Sequence, residues 1–352
     1  MKDKKYYGLY SKIKDRILSG EYAAGEKLPS KRVMADVTGY SIITVQAAYD
    51  MLSDEGYVEA RERSGYFVLP LNNIALSKDT AEKKMVVHVT DPEGEDGGDF
   101  EYSVWFKTVR KVIADDSEKL FVKAPVKGCA VLRNAIADYL HRYRGMTADA
   151  HRIIIGSGAE QLYEIAVKII GRNRVFGIED PCYGQISEVY EGMGVNVRKL
   201  KMGNDGIELE SLNSGGFDIL HVTPFHSYPS GVTTSAAKRY SYLAWAKDTG
   251  GYIIEDDFDS EFFLPGQPIE SLYSLDRESV IYINTFSKSL SPAIRVGYMI
   301  LPEELMKIYD EKLGRFSCTV PVMDQYVLAE FINSGSFERH LNRCRRRMRN
   351  RL

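Results

Sequence analysis

An α/β chain in two units is what this sequence predicts: a small helical unit closed by a hairpin over residues 1–70, then a larger domain built on a mostly parallel sheet. Two observations carry this expectation. In the first unit, apolar residues recur at helical spacing and are followed by two short alternating runs. From about residue 86, short apolar runs alternate with amphipathic stretches, the pattern of parallel strands covered by helices. At 352 residues the chain is long enough for both.

Leu9, Ile13 and Ile17 form a helical stripe that Gly20 ends. Pro29 and Ser30 open a second helix holding Val33, Met34, Ala35 and Val37. Gly39-Tyr40-Ser41 is a tight turn with a capping serine, and Thr44–Glu55 is a third helix with Val45, Ala48, Tyr49 and Leu52 on its apolar face. Gly56 stops it. Val58-Glu59-Ala60 and Tyr66-Phe67-Val68 are strands joined by the polar turn Glu62-Arg63-Ser64-Gly65. Helix, helix, turn, helix, hairpin is a winged helix-turn-helix. Residues 71–85 lose periodicity and are expected to be a linker to a domain over 86–352. In that domain, helices are expected at 130–142, 160–170 and 184–193. Strands are expected at 152–155, 174–178, 195–200, 218–222, 251–255, 280–284 and 296–301.

Charged residues at 27% and hydrophobic residues at 44% suit a soluble globular chain, and a net charge of −3 excludes a polycation. The charge is uneven, however: up to Arg32 there are nine Lys/Arg against four Asp/Glu. A local basic excess is what a phosphate backbone needs. Cys129, Cys182, Cys318 and Cys344 are scattered, with no zinc spacing. No apolar run approaches the roughly 18 residues of a membrane span, and the charged N-terminus enters a helix pattern at once. The cytoplasm is the expected compartment.

In a helix-turn-helix the second helix enters the major groove and its first residues meet the bases. Here these are Ser41, Ile42, Ile43, Thr44 and Gln46, with Gln46 suited to adenine. Lys31 and Arg32 begin the preceding helix and can hold the phosphate backbone. Arg63 at the wing tip suits the minor groove. Duplex DNA is the expected partner; a winged helix used for protein contacts is the alternative.

The larger domain carries Thr285-Phe286-Ser287-Lys288 after an apolar strand, and Arg295 before the next. A lysine bracketed by hydroxyls, with an arginine at the adjacent strand end, suits a phosphorylated aldehyde such as pyridoxal 5'-phosphate (PLP). Lys288 would form the imine and Arg295 would bind phosphate, with Thr285 or Ser287 donating hydroxyls. Asp256, at the end of another strand within Glu255-Asp256-Asp257-Phe258-Asp259, is the candidate anion for the pyridine nitrogen. These acids can also bind a metal, but Lys288 and the lack of partner His or Cys argue against one. Gly158 and Ala159 begin a helix whose free N–H groups can hold phosphate. Tyr183 is the candidate stacking ring.

Leu28-Pro29-Ser30-Lys31-Arg32 with Ser41-Ile42-Ile43-Thr44-Val45 resembles the GntR regulators, in which an arginine often stands where this chain has Ile42. The strings Thr223-Pro224 to Pro229-Ser230-Gly231, Glu255-Asp256-Asp257 with Asp259-Ser260-Glu261, and Thr285 to Gly297 are similar to fold-type I PLP enzymes of the aspartate aminotransferase superfamily. Together they resemble the MocR subfamily of GntR regulators. The resemblance implies Lys288 and Asp256 as the catalytic-type pair, Tyr183 as stacker and Arg295 on the phosphate. It also implies a head-to-tail homodimer, its winged helices packed on the partner's large domain.

Three positions depart from the pattern. Phe258 replaces a usual tyrosine, Lys123 stands near a tyrosine that reaches the neighbour's phosphate, and Gln185 stands where some members place an arginine. The chain also ends at Leu352 inside a helix, where relatives are expected to continue into a further small subdomain. Arg343, Arg345, Arg346, Arg347, Arg349 and Arg351 are expected to be a solvated helix face rather than a nucleic-acid tail. The function implied is a PLP-dependent transcription regulator, not an enzyme, that senses a small amine or amino acid by aldimine exchange at Lys288. The alternatives are an aminotransferase with an accessory DNA-binding module and a cofactor-free DNA-binding dimer.

Overall fold

The computed structural model describes residues 5–54, 57–61, 64–69, 100, 102–262 and 270–351. The expected linker 71–85 and wing-tip Arg63 lie outside the described residues.

The first unit is the expected winged helix. Helix α1 (Lys5–Leu18) lays Leu9, Ile13 and Ile17 on Val45, Ala48, Tyr49 and Leu52 of α3 (Ile42–Asp54), all buried. Burying each large apolar side chain contributes about 1.5–3 kcal/mol. Between them α2 (Lys31–Thr38) starts where Ser30 Oγ accepts from the Val33 N–H at 3.3 Å and stops at left-handed Gly39, φ 70°. Strands β1 (Val58–Arg61) and β2 (Gly65–Val68) pair antiparallel with Val58 opposite Val68.

The larger unit opens with α4 (Tyr102–Leu120) and α5 (Ala130–Tyr139). Then come β3 (Ile153–Gly156), α6 (Ala159–Ile170), β4 (Val175–Asp180), α7 (Gly184–Gly192), β5 (Asn196–Gly203), β6 (Gly206–Ile207) and α8 (Leu209–Asn213). They are followed by β7 (Ile219–Val222), α9 (Ala236–Thr249), β8 (Tyr252–Asp256), α10 (Leu272–Leu275), β9 (Val280–Thr285), the single turn α11 (Phe286–Ser289) and β10 (Gly297–Ile300). Three helices end the chain: α12 (Glu303–Leu313), α13 (Val322–Asn333) and α14 (Ser336–Arg351).

The sheet runs β3-β10-β9-β8-β7-β4-β5-β6. Strands β9, β8, β7, β4 and β5 are parallel; β10 is antiparallel to both β9 and β3, and β6 to β5. Every residue of β3, β7, β9 and β10 is buried, as in a sheet covered on both faces. Alternation divides the core in two. Ile153, Ile155, Leu220, Ile253 and Tyr282 face one layer of helices; Ile154, Ile178, Ile254, Ile281 and Ile283 face the other. The parallel strands bring Gly156, Asp256 and Thr285 to one sheet edge, and antiparallel β10 starts there, just after Arg295. That edge is where open α/β sheets bind ligands.

Candidate functional site

Lys288 sits on α11, one turn beyond β9, and its Nζ lies 2.8 Å from Asp259 Oδ1 and 5.0 Å from the centre of the Phe258 ring. The other carboxylate oxygen of Asp259 is 3.0 Å from His226 Nδ1. Burial alone would push the Asp259 carboxyl up. The His226 hydrogen bond and the Lys288 charge outweigh it and hold the group below its ordinary value. Sequence reasoning gave neither Asp259 nor His226 a role, although both lie within the strings that carry the resemblance. The one local sign of His226 is structural, a positive φ of 49° on a non-glycine residue.

Asp256 ends β8, buried, on the α6 side of the sheet. The Tyr163 hydroxyl donates to its Oδ2, and His221 Nε2 is 3.8 Å from that oxygen. His221 Nδ1 in turn meets the Tyr190 hydroxyl at 2.6 Å. Burial first, then the Asp256 charge and hydrogen bond, push the Tyr163 hydroxyl well above its ordinary value, so it stays a donor. Strand alternation sends the flanking acids to the other face. Glu255 accepts from the Leu272 and Tyr273 N–H groups at 2.9 Å each, capping α10. Asp257 takes Arg144 Nη2 and the Tyr282 hydroxyl at 2.7 Å each. The acid run expected from sequence is therefore three separate jobs, with Asp256 alone of residues 255–257 aimed at the site's face.

Gly158 caps α6 with φ 99°, and a Cβ placed on it would come within 2.5 Å of Arg295 Nη2. Arg295 thus lies against the opening of α6, where it also meets Glu160 Oε2 at 2.5 Å. Ser287 Oγ is buried with no hydrogen-bond partner. Ala159, Gly158, Arg295 and Ser287 can together receive an anion: a helix N-terminus, a guanidinium and an idle hydroxyl at one sheet edge. Thr285 is buried at the end of β9. Tyr183 stands just before α7, its ring edge-on to Tyr228 at 6.1 Å. Beside it, at the end of β4, Glu179 is buried and accepts from Ser227 Oγ at 2.5 Å and from the Thr223 N–H at 3.2 Å. Burial pushes its carboxyl up to about 8, despite both hydrogen bonds.

In the winged helix, Ser41 Oγ accepts from the Thr44 N–H at 3.2 Å and pairs with the Thr44 hydroxyl at 2.8 Å, starting α3. Arg32 and Ile43 are exposed. Gln46, expected at a base edge, is turned inward: its Oε1 accepts from Lys31 Nζ and its Nε2 donates to Asp50 and, at 2.9 Å, to the Tyr66 hydroxyl. Lys31 is accordingly drawn to Gln46.

Residues 5–68 match the family described as bacterial regulatory proteins, gntR family, and residues 82–352 match aminotransferase class I and II. The chain is 33% identical to an uncharacterized HTH-type transcriptional regulator, YdeL, of Bacillus subtilis, over 97% of this chain and 76% of that one. It is 28% identical to MocR of Rhizobium meliloti, described as "Probable rhizopine catabolism regulatory protein", over 96% of this chain and 73% of that one. The chain belongs to the MocR subfamily of GntR regulators. In this MocR-type chain the aminotransferase-like half also has the fold of LysN, an α-aminoadipate aminotransferase of Thermus thermophilus solved with N-(5'-phosphopyridoxyl)-L-leucine. The TM-score is 0.63 at 25% identity, covering 70% of this chain and 64%, under two thirds, of that one.

The two halves of the MocR-type chain meet at α9. Ala236, its first residue, is buried within the winged-helix core, and Tyr240 packs on the same cluster. Lys14 of α1 is buried and ion-paired to Glu270, whose carbonyl also accepts from Arg239 Nη1 at 2.5 Å. The winged helix is seated on its own chain here, whereas the family resemblance implies a seat on the partner.

Proposed function

We propose that this MocR-type chain is a DNA-binding transcription regulator that holds PLP at Lys288 and senses a small amine or amino acid there. One observation carries the cofactor reading: Lys288, Asp256 and an anion cradle converge on one sheet edge, and that cradle contains a buried hydroxyl with no partner of its own. The fit is chemical as well as spatial. The Lys288 amine would take the aldehyde carbon. Asp256, steadied by Tyr163 and His221, would hold a proton on the ring nitrogen. Gly158, Ala159, Ser287, Thr285 and Arg295 would hold the phosphate, with Tyr183 against the ring. When bound, PLP would supply an electrophilic carbon able to condense with a primary amine.

Borohydride reduction of the PLP-supplied protein, followed by peptide mapping, tests the assignment. The expected label is on Lys288 and is lost in Lys288→Ala. Label elsewhere, or none, overturns it.

The winged helix favours regulation over turnover, since transamination alone needs no DNA reader. Multiple-turnover assays with amino acids and keto acids separate the two. No helix among the described residues is long and apolar enough to cross a membrane, and we place the protein in the cytoplasm with its DNA. A homodimer, which the family resemblance implies, is supported by exposed apolar residues on and near α4 (Tyr102, Phe106, Phe121, Val122) and by Phe316 and Met323.

A further inference from the structure

The face that α3 offers to a groove is hydrocarbon. Ile43 is 82% exposed and Ile42 48% exposed at the first turn. Ala47 follows Ile43 by one helical turn, partly exposed. The opposite face, Val45, Ala48, Tyr49 and Leu52, is spent on the core. The polar side chains that could compete for base edges already have partners inside the domain. Ser41 and Thr44 bond each other, and Gln46 is held by Lys31, Asp50 and Tyr66.

A lone exposed isoleucine is ordinary. Two adjacent ones at the start of a helix-turn-helix reading helix stand where base edges are met. The major groove offers a hydrocarbon target, the C5-methyl of thymine. Exposed Val33 and Val37 of α2 add apolar surface, and the charge suits a duplex: Arg32 and Lys27 of the same domain are exposed, as phosphates flank every base step.

We infer that Ile42 and Ile43 read thymine methyl groups, so that this chain selects T·A-bearing steps by apolar contact in place of hydrogen-bonded readout. The inference rests on the reading of residues 1–70 as a DNA binder, and its test separates the two. The full chain first selects from a duplex pool randomised across two half-sites. Each thymine of the selected duplex is then replaced singly by deoxyuridine, which keeps pairing and removes only the methyl. Affinities are measured for the wild type and for Ile43→Ala and Ile42→Ala.

The expected result is thymine at one or two fixed steps of each half-site. The wild type should lose about four-fold in affinity per methyl removed there, the equivalent of one buried CH₂. At the step each isoleucine reads, its alanine variant should bind thymine and uracil duplexes equally. Duplex binding with no uracil effect at any position overturns the inference alone, as does an equal uracil penalty in the wild type and both variants. Failure of the full chain to hold any duplex at low salt overturns the DNA reading with it.

Discussion

Asp259 and Lys288 form an ion pair at 2.8 Å directly beside a phenylalanine, Phe258, that has no hydroxyl to offer. The lysine's polar partner is therefore an anion, and that anion is fixed from behind by His226. Because the Asp259 carboxyl is held below its ordinary value, the pair stabilises the fold above the unfolded carboxylate pKa of about 3.9. That contribution fades as pH falls through the lower folded value. Asp259→Asn should lower the unfolding temperature of cofactor-free protein at neutral pH by a few degrees, about 2–4 °C per kcal/mol. Thermal unfolding followed toward about pH 3 should show the gap to wild type narrowing. A gap that stays constant with pH would show that the charge is not what the substitution removes.

Gly158 tests the anion cradle. In Gly158→Ala the new methyl group meets the Arg295 guanidinium at a backbone angle that L side chains rarely adopt. Losing one charge-assisted bond to phosphate should weaken PLP binding by about 10- to 100-fold. Equilibrium titration with free PLP reads the loss. Ser287→Ala should weaken binding less and leave the cofactor-free fold unchanged, since its hydroxyl has no partner there. Unaltered PLP affinity in both variants would remove the cradle from the site.

Glu179 gives a pH signature of opposite sign. Its folded value of about 8 lies above the ordinary carboxylate range, and burial is the cause. The contribution of the neutral form is complete below the unfolded value of about 4.3 and is lost as pH rises through about 8. Glu179→Gln stays neutral throughout. Its unfolding temperature should gain several degrees on the wild type between about pH 5 and about pH 8. Parallel curves for the two proteins would exclude a buried proton on Glu179.

Gln46 and Arg32 separate architecture from recognition. With its carboxamide bonded to Lys31, Asp50 and Tyr66, Gln46→Ala should cost the winged helix about 1–2 kcal/mol of stability. The order of preference among duplexes should not change. Arg32→Ala should weaken binding to all duplexes alike and reduce the salt slope by about one. A changed sequence preference in Gln46→Ala would restore it to the groove.

Much of the fold was legible because hydrophobic periodicity is local. The stripe of Leu9, Ile13 and Ile17 and the apolar run of β9 each announce their element without help from distant residues. The placement of Lys288, Asp256 and Arg295 at one sheet edge was legible because strand ends in an α/β pattern converge. Partnerships were not. Gln46 has the same sequence signature whether it faces a base or Tyr66. The pairing of His226 with Asp259 joins two loops that have no period. The boundary of α5 was also hidden. The expected helix to residue 142 leaves α geometry at Tyr139 and widens into a single π turn, Leu140–Arg144, ended by left-handed Gly145. That turn delivers Arg144 to Asp257, an internal charge far along the chain that no window of sequence contains.

The seat of the winged helix on α9 has a mechanical meaning. Ser235 caps α9 and closes the loop that carries His226, which holds Asp259 against Lys288. Ala236, the next residue, is already part of the reader's own core. Packed interiors pass displacement on instead of absorbing it. The winged helix seated on α9 therefore shares that helix with the loop behind the lysine, and a single loop separates Ala236 from His226.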